Sequence, residues 1–317
     1  MSEFTGEAIP EPAALPAAID RLRRERKAVI LAHWYQRPEI QDLADFRGDS
    51  LALAQAARDT DAEVIAFAGV HFMAEVAKIL SPDRIVVLPD IQAGCSLDED
   101  CPPEELAAWR RAHPDHKVVT YINCSAAVKA QADIICTSGN AVKVVESFPP
   151  DQPLLFAPDR NLGAHVAARS DRPLELWPGR CFVHVRFDAE RIAALKASRP
   201  GTVFIAHPEC EAQVLQIAEF VGSTSQMLRF VQDSPAGTII VGTESGMLHE
   251  MRRRAPDKEL LPAPCVKDVP GCDECSHMKR NTLEKLYLCL RDLAPRIEMD
   301  EDLRRRALVP LERMLAL

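Results

Sequence analysis

Positive charge is in short supply in this chain. Across 317 residues, Lys and Arg number 38 against 47 Asp and Glu, a formal net charge of −9 at pH 7. That balance argues against nucleic acid or an anionic membrane surface as partner, and no basic stripe or helix-turn-helix signal offsets it. A small anionic substrate is still admissible, because a pocket can be locally positive. Long apolar runs are missing too: none reaches the ~20 residues of a membrane-spanning helix. The opening "MSEFTGEAIPEPAALPAAID" is acidic and proline-rich, with neither a basic start nor a secretory apolar stretch. Its first dozen residues read as a loose arm, and the expected location is cytoplasmic. In that compartment the ten cysteines are not expected to form a disulfide framework. Tyrosines are scarce, three in the whole chain.

What is present is repetition. The length suggests two or three domains, and 47% hydrophobic with 27% charged residues suits an ordinary globular chain. Three apolar segments each run into polar residues and then a helical pattern: "KAVILAHWYQ" from Lys27, "KVVTYINCSA" from Lys117 and "GTVFIAHPEC" from Gly201. Their starts lie about 85 to 90 residues apart. A second strand-like run follows in each ("EVIAFAGV", "ADIICTSGN", "AEFVGSTS"), then a third ("DRIVVLPD", "PLLFAPD", "GTIIVGTES"). Short buried strands alternating with helices predict βαβαβ units with parallel sheets. The fold class is therefore α/β: three homologous three-layer αβα domains with pseudo-threefold symmetry about a central cavity. The expected boundaries are 16–102, rejoined by C-terminal helices over 279–317, then 103–188 and 189–278.

Polar residues recur at the carboxyl ends of the first strands: His33, Trp34 and Tyr35; Tyr121 and Asn123; His207, Glu209 and Cys210. The small-residue turns Cys136 to Asn140 and Gly222 to Gln226 open helices at the same edge, where exposed N–H groups can cradle an anion. Each feature alone reads as an ordinary cap or turn. Their recurrence at matched places predicts a shared site. Cys210 is expected to face away from Glu209 by strand alternation. Cys124, Cys136, Cys265 and Cys289 read as packing residues, and Cys101 as part of a surface loop.

Three other cysteines keep the repeat spacing. Cys95, Cys181 and Cys275 lie 86 and 94 residues apart (181 − 95 and 275 − 181), one near the end of each unit. Three thiolates without an evident fourth ligand suit zinc completed by water or histidine, or a [4Fe–4S] cluster with one open iron. The local Cys272–Cys275 spacing also admits a redox dithiol, although "VPGCDEC" is a proline-glycine loop rather than a strand-to-helix turn.

Taken together, "HWYQRPEIQDLADFRGDSL", "FMAEVAKIL", "LPDIQAGCSL", "VVTYINCSAAVKA", "CTSGNAVKVV", "FAPDRNLG", "HPEC", "VGSTSQM", "VGTESGMLH" and "CSHMKRNTLEKLY" resemble the quinolinate synthase family, in that family's order from Ile30 to Leu290. The resemblance implies condensation of iminoaspartate with dihydroxyacetone phosphate to quinolinate, phosphate and water, for NAD biosynthesis. It implies one [4Fe–4S] cluster per chain on Cys95, Cys181 and Cys275, with iminoaspartate supplied by an aspartate-oxidising enzyme or aspartate dehydrogenase. Carried over by motif, the substrate residues would be His33, Ser50, Asn123, Ser138, His184, His207, Glu209 and Thr224. Ser50 and His184 come from the resemblance alone. Glu209 is the expected general base, its pKa raised by burial, with Tyr35, Tyr121 and His207 as its catalytic partners. Many relatives have C-x-x-C-x-x-C in the last motif. Here the first of those positions is Val269, leaving Cys272 without its usual neighbour.

Overall fold

The computed structural model describes residues 8–267 and 269–317. The expected loose arm lies largely outside them; a 3₁₀ turn, Pro12–Ala14, and the helix Leu15–Glu25 follow directly. The twelve strands among the described residues are, in chain order, β1 (Ala28–His33), β2 (Phe46–Gly48), β3 (Val64–Ala68), β4 (Ile85–Val87), β5 (Lys117–Tyr121), β6 (Ile134–Cys136), β7 (Leu154–Ala157), β8 (Glu175–Leu176), β9 (Val203–Ala206), β10 (Phe220–Val221), β11 (Thr238–Gly242) and β12 (Glu259–Pro262). They form three separate parallel sheets of four strands, ordered β2-β1-β3-β4, β6-β5-β7-β8 and β10-β9-β11-β12. One topology is thus used three times. The inner strands are buried on both faces, which explains why "AVILAH" and "VIAFA" are apolar without alternation.

Each unit has four strands rather than the three expected. The missed edge strand of the first unit is β2, which pairs with β1 through Leu31↔Phe46 and His33↔Gly48. Its three residues, one of them exposed Phe46, carry no apolar run. The match between copies is shifted accordingly: "EVIAFAGV" is β3 and corresponds to β7 and β11, whereas "ADIICTSGN" and "AEFVGSTS" correspond to "ADFRGDS". An acidic clamp marks the true register. Asp45, Asp133 and Glu219 each stand just before the short strand, and each carboxylate accepts from a backbone N–H of the central strand. The bonds are Ile30 to Asp45 at 2.8 Å, Val118 to Asp133 at 2.9 Å and Phe204 to Glu219 at 2.8 Å. Each also meets a cation: Arg23, Arg110 and Lys196 respectively.

The largest apolar core runs through the first two units without a break, from Leu31, Phe67 and Phe72 to Val119, Phe156 and Leu162. The helix Glu301–Leu315 seals it with Ala307, Leu311 and Met314 while Arg305 and Arg306 face water, so the last helix covers the fold and its arginines pair locally with Glu301 and Asp302. Two cysteine expectations fail. Cys101 is fully buried beside Leu106, Val118 and Trp177 rather than in a surface loop. Cys265 is joined to Cys272 in a disulfide: a bridge to Phe187 holds Cys265 in place, and the turn from Val269 to Cys272 returns the second sulfur to it. Cys124, Cys136 and Cys289 are buried packing residues. No helix among the described residues is long and apolar enough to cross a membrane.

Candidate active site at the convergence of three sheets

The carboxyl ends of all three sheets meet at one cavity, with room of about 70 Å³ for the centres of water-sized groups. His33 and Tyr35 reach it from the end of β1, Tyr121 and Asn123 from β5, His207 and Glu209 from β9. Ser50, Ser138 and Thr224 line it from equivalent places, each just beyond the short second strand of its unit. His184 joins them from a 3₁₀ turn, His184–Arg186. Cys95, Cys181 and Cys275 line the same space, each from the segment after the last strand of its unit. Cys210 does not: its thiol turns toward the Gly242 carbonyl and packs with Phe187 and Phe204. Ser223 and Ser225 also turn elsewhere. Ser223 forms a capping box with Gln226, and Ser225 bonds Asp49.

A continuous run of hydrogen bonds crosses the floor of the cavity. The Tyr35 hydroxyl lies 2.7 Å from Thr243 Oγ1, which lies 3.0 Å from His184 Nε2. His184 Nδ1 is 2.8 Å from Glu209 Oε2, His207 Nδ1 is 3.3 Å from the same oxygen, and His207 Nε2 is 3.2 Å from Ser138 Oγ. The run joins side chains of all three units. Two buried oxygens beside it, Glu209 Oε1 and Asn123 Oδ1, have no protein partner. Buried acceptors left in that state are costly unless a ligand supplies the donor.

The charge states differ from expectation at Glu209. Burial alone would push its carboxyl up, but the His184 and His207 imidazoles on Oε2 outweigh it and hold the group well below the usual carboxylate range. Glu209 is therefore ionised at neutral pH rather than poised near neutrality. Burial carries His33 down to about 3, with His207 and Lys279 adding to the effect. It is a neutral imidazole whose Nδ1 accepts the Tyr35 N–H at 3.1 Å, which puts the proton on Nε2. His207 is also lowered by burial, against the pull of Glu209. Burial, reinforced by Glu209, pushes the Tyr35 and Tyr121 hydroxyls far up, so both keep their protons.

The three cysteines fit a metal centre in chemistry. Burial pushes their thiols up, Cys275 to about 11 and the other two well above the ordinary thiol value. A cation is what would make them thiolates. Backbone N–H groups are already aimed at the sulfurs: Leu97 and Asp98 at Cys95, His184 at Cys181, His277 and Met278 at Cys275. Among the described residues, the trio whose ligand atoms all lie within 4.8 Å of one another is Cys181, His184 and Glu209. The three sulfurs as a set stand wider, as a polynuclear centre requires. Ligands of a single zinc sit only ~3.8 Å apart, given Zn–S bonds of ~2.3 Å.

Comparison with known proteins settles the family. The family model described as quinolinate synthetase A protein matches residues 17–316. The quinolinate synthase of Thermosynechococcus vestitus is 57% identical over 306 residues, covering 96% of both chains. Those of Trichormus variabilis and Nostoc punctiforme are 55% and 56% identical over 309 and 304 residues, covering 96% of this chain and 95% and 94% of theirs. The chain belongs to the quinolinate synthase family.

Several residues of this quinolinate synthase family site escaped the sequence reading. Thr243 and Glu244 follow β11 directly, and Asp159 follows β7 at the place matching Glu244, each of the two carboxylates standing two residues beyond its strand. All three stood inside motifs quoted above, "VGTESGMLH" and "FAPDRNLG". The available signal was a carboxylate at the same offset past the same strand in two units. Glu244 is buried, its carboxyl pushed to about 7 by desolvation against the pull of Lys279. Gly246 follows because a Cβ there would lie 2.8 Å from Glu244 Oε2 and 2.9 Å from the backbone of Tyr35.

Proposed function

We propose that the chain condenses iminoaspartate with dihydroxyacetone phosphate to quinolinate, releasing phosphate and water. In this reading Cys95, Cys181 and Cys275 hold a [4Fe–4S] cluster with one iron free of protein ligands. The cluster supplies Lewis acidity toward a substrate oxygen. The observation that carries the reading is the hydrogen-bonded run from Tyr35 to Ser138, with an ionised Glu209 at its middle, in the cavity that the three cysteines line.

The roles of the side chains follow from their geometry. Both substrates are anionic, and the hydroxyls of Ser50, Ser138 and Thr224, with the Nε2–H of His33, supply donors for carboxylates and phosphate. Asn123 Oδ1 accepts from the substrate nitrogen. Glu209 receives the proton removed beside the imine or carbonyl on Oε1, the oxygen no protein group occupies, while His184 and His207 fix the carboxylate through Oε2. Tyr35 and Tyr121 keep their protons until an oxygen leaves as hydroxide or an enolate needs a donor. The run through His184 and Thr243 joins the other carboxylate oxygen to the Tyr35 hydroxyl, so that base and acid are held by one chain of hydrogen bonds. His207 and Ser138 form the other arm, toward the phosphate.

A second reading has one observation in its favour: the close trio Cys181, His184 and Glu209 suits a single zinc, as in a zinc-dependent lyase on a phosphorylated ketose. Anaerobic purification separates the two. About four irons and about four labile sulfides per chain, with quinolinate formed from the two substrates, are expected. Stoichiometric zinc without labile sulfide, or a cluster-loaded protein that forms no quinolinate, would overturn the proposal. Serine in place of Cys95, Cys181 or Cys275 should remove most of the iron, because a hard hydroxyl replaces a thiolate poorly. Cys272→Ser should retain it.

A further inference from the structure

Two buried carboxylates stand where two of the three cysteine segments meet their sheets. Asp159 and Glu244 are each fully buried, two residues beyond β7 and β11. Asp159 accepts the Cys181 N–H on Oδ2 at 3.2 Å and the Leu162 N–H on Oδ1 at 2.7 Å. Glu244 accepts the Cys275 N–H on Oε1 at 3.0 Å and the Gly246 N–H on Oε2 at 2.7 Å. The two arrangements are copies of one device. One oxygen holds the cysteine's own backbone, and the other holds the start of the element that follows the strand.

We propose that Asp159 and Glu244 are positioning residues that pin Cys181 and Cys275 in ligating geometry, a role that rests on the metal-centre reading above. Neither carboxylate reaches a sulfur. Each acts on the backbone of the cysteine, and thereby on where its thiol points. Glu244 does more than Asp159. Its Oε1 also meets Lys279 Nζ at 2.7 Å, and that ammonium donates to the Tyr35 carbonyl at 2.7 Å. The Cys275 segment and the catalytic end of β1 are thus set by one buried ion pair. The first unit lacks the device: Val70 stands at the matching place, and a backbone bond from His71 N–H to the Ala93 carbonyl, 2.7 Å, closes the Cys95 segment instead.

Both oxygens of each carboxylate face N–H donors, so an amide cannot replace either group without setting donor against donor. Groups that orient metal ligands from behind typically change metal affinity 10- to 100-fold when altered. Asp159 also caps the helix Arg160–Ser170, so Asp159→Asn tests folding and positioning together. Asp159→Ser separates them, because serine can still cap Leu162 with its one oxygen but has none left for Cys181.

The test uses the full chain, first without metal and then after anaerobic loading with iron and sulfide. In the metal-free Asp159→Ser protein, amide exchange should quicken at least about tenfold around Cys181 and stay unchanged in the helix after Asp159 and around Cys275. Glu244→Gln should give the converse. After loading, each variant should lose iron at least about tenfold faster than wild type on exposure to a chelator, with an altered electron paramagnetic resonance spectrum of the reduced cluster, since the N–H bonds to sulfur have moved. A merely structural residue would leave that spectrum alone. Unchanged exchange around Cys181 in Asp159→Ser would overturn the anchoring. A wild-type chain that takes up neither iron nor sulfide would overturn the metal-centre reading first, and the positioning role with it.

Discussion

As the proposed general base, Glu209 has to meet two requirements that pull apart. The residue needs to be ionised when substrate arrives, and basic enough to take a proton from carbon. Burial serves basicity, while the two imidazoles on Oε2 serve ionisation, and in this site the imidazoles prevail. That outcome was hidden in the sequence: "HPEC" placed His207 beside Glu209, but His184 comes from another unit. Glu209→Gln keeps the shape and one acceptor, so iron content and substrate binding should persist while turnover falls by about 10² to 10⁴. Anaerobic quinolinate formation beside a substrate titration of the cluster's absorption makes the comparison. More than about a third of wild-type turnover would transfer the base role to Tyr35 or Tyr121. Tyr35→Phe should also reduce turnover more than binding, because it removes one end of the run through Thr243 and leaves the donors to the anions in place. His207→Ala should weaken anion binding as well as rate.

At the scale of elements, the acidic clamp explains what could and could not be read in advance. The central strands announced themselves by consecutive buried apolar residues. β2 did not, having three residues and an exposed phenylalanine, and neither did β8, which has only two. The signal that would have found β2 is the repeated Ala44-Asp45-Phe46, Ala132-Asp133-Ile134 and Ala218-Glu219-Phe220. With that register in hand, Ser50 falls at the position of Ser138 and Thr224 and needs no resemblance to single it out. The clamp also makes a prediction about stability. Burial opposes ionisation of Asp133, but the Val118 N–H, Arg110 and Lys117 together hold its carboxyl below its ordinary value of 3.8. A depressed carboxyl stabilises the fold above its unfolded pKa, and the contribution is lost as pH falls through the folded value. Asp133→Asn should therefore cost about 1.5–3 kcal/mol at neutral pH, the usual worth of a hydrogen bond to a charged group. The difference from wild type should shrink as the pH drops below about 3.8. Denaturant titrations at pH 7 and in acid measure it, and a gap that widened in acid would contradict the assignment.

On the scale of the whole molecule, the threefold plan was legible because one topology is encoded three times, and its departures were not. The disulfide between Cys265 and Cys272 and the burial of Cys101 depend on how loops return to the sheets, which no local pattern records. The same plan gives the cavity its mechanical character. Each sheet contributes one cysteine, so a centre bound by Cys95, Cys181 and Cys275 ties together three sheets that share no strand pairing. Anything that binds the folded chain and not the unfolded one stabilises it by mass action, by about 2.7 kcal/mol at a hundredfold excess over Kd. For a chain of this size that corresponds to a rise in Tm of at least several degrees. The cluster-loaded protein should therefore melt well above the metal-free one, in a single transition rather than three. Removing any one cysteine of the trio should abolish most of that difference, whichever unit it comes from, because two thiolates cannot link three sheets. Cys272→Ser should change the metal-free Tm without removing the increment that loading produces. Calorimetry on anaerobic samples, loaded and metal-free, distinguishes the cases. An increment that survives Cys95→Ser while vanishing in Cys181→Ser would mean that the metal joins only the second and third units, as a single ion on Cys181, His184 and Glu209 would.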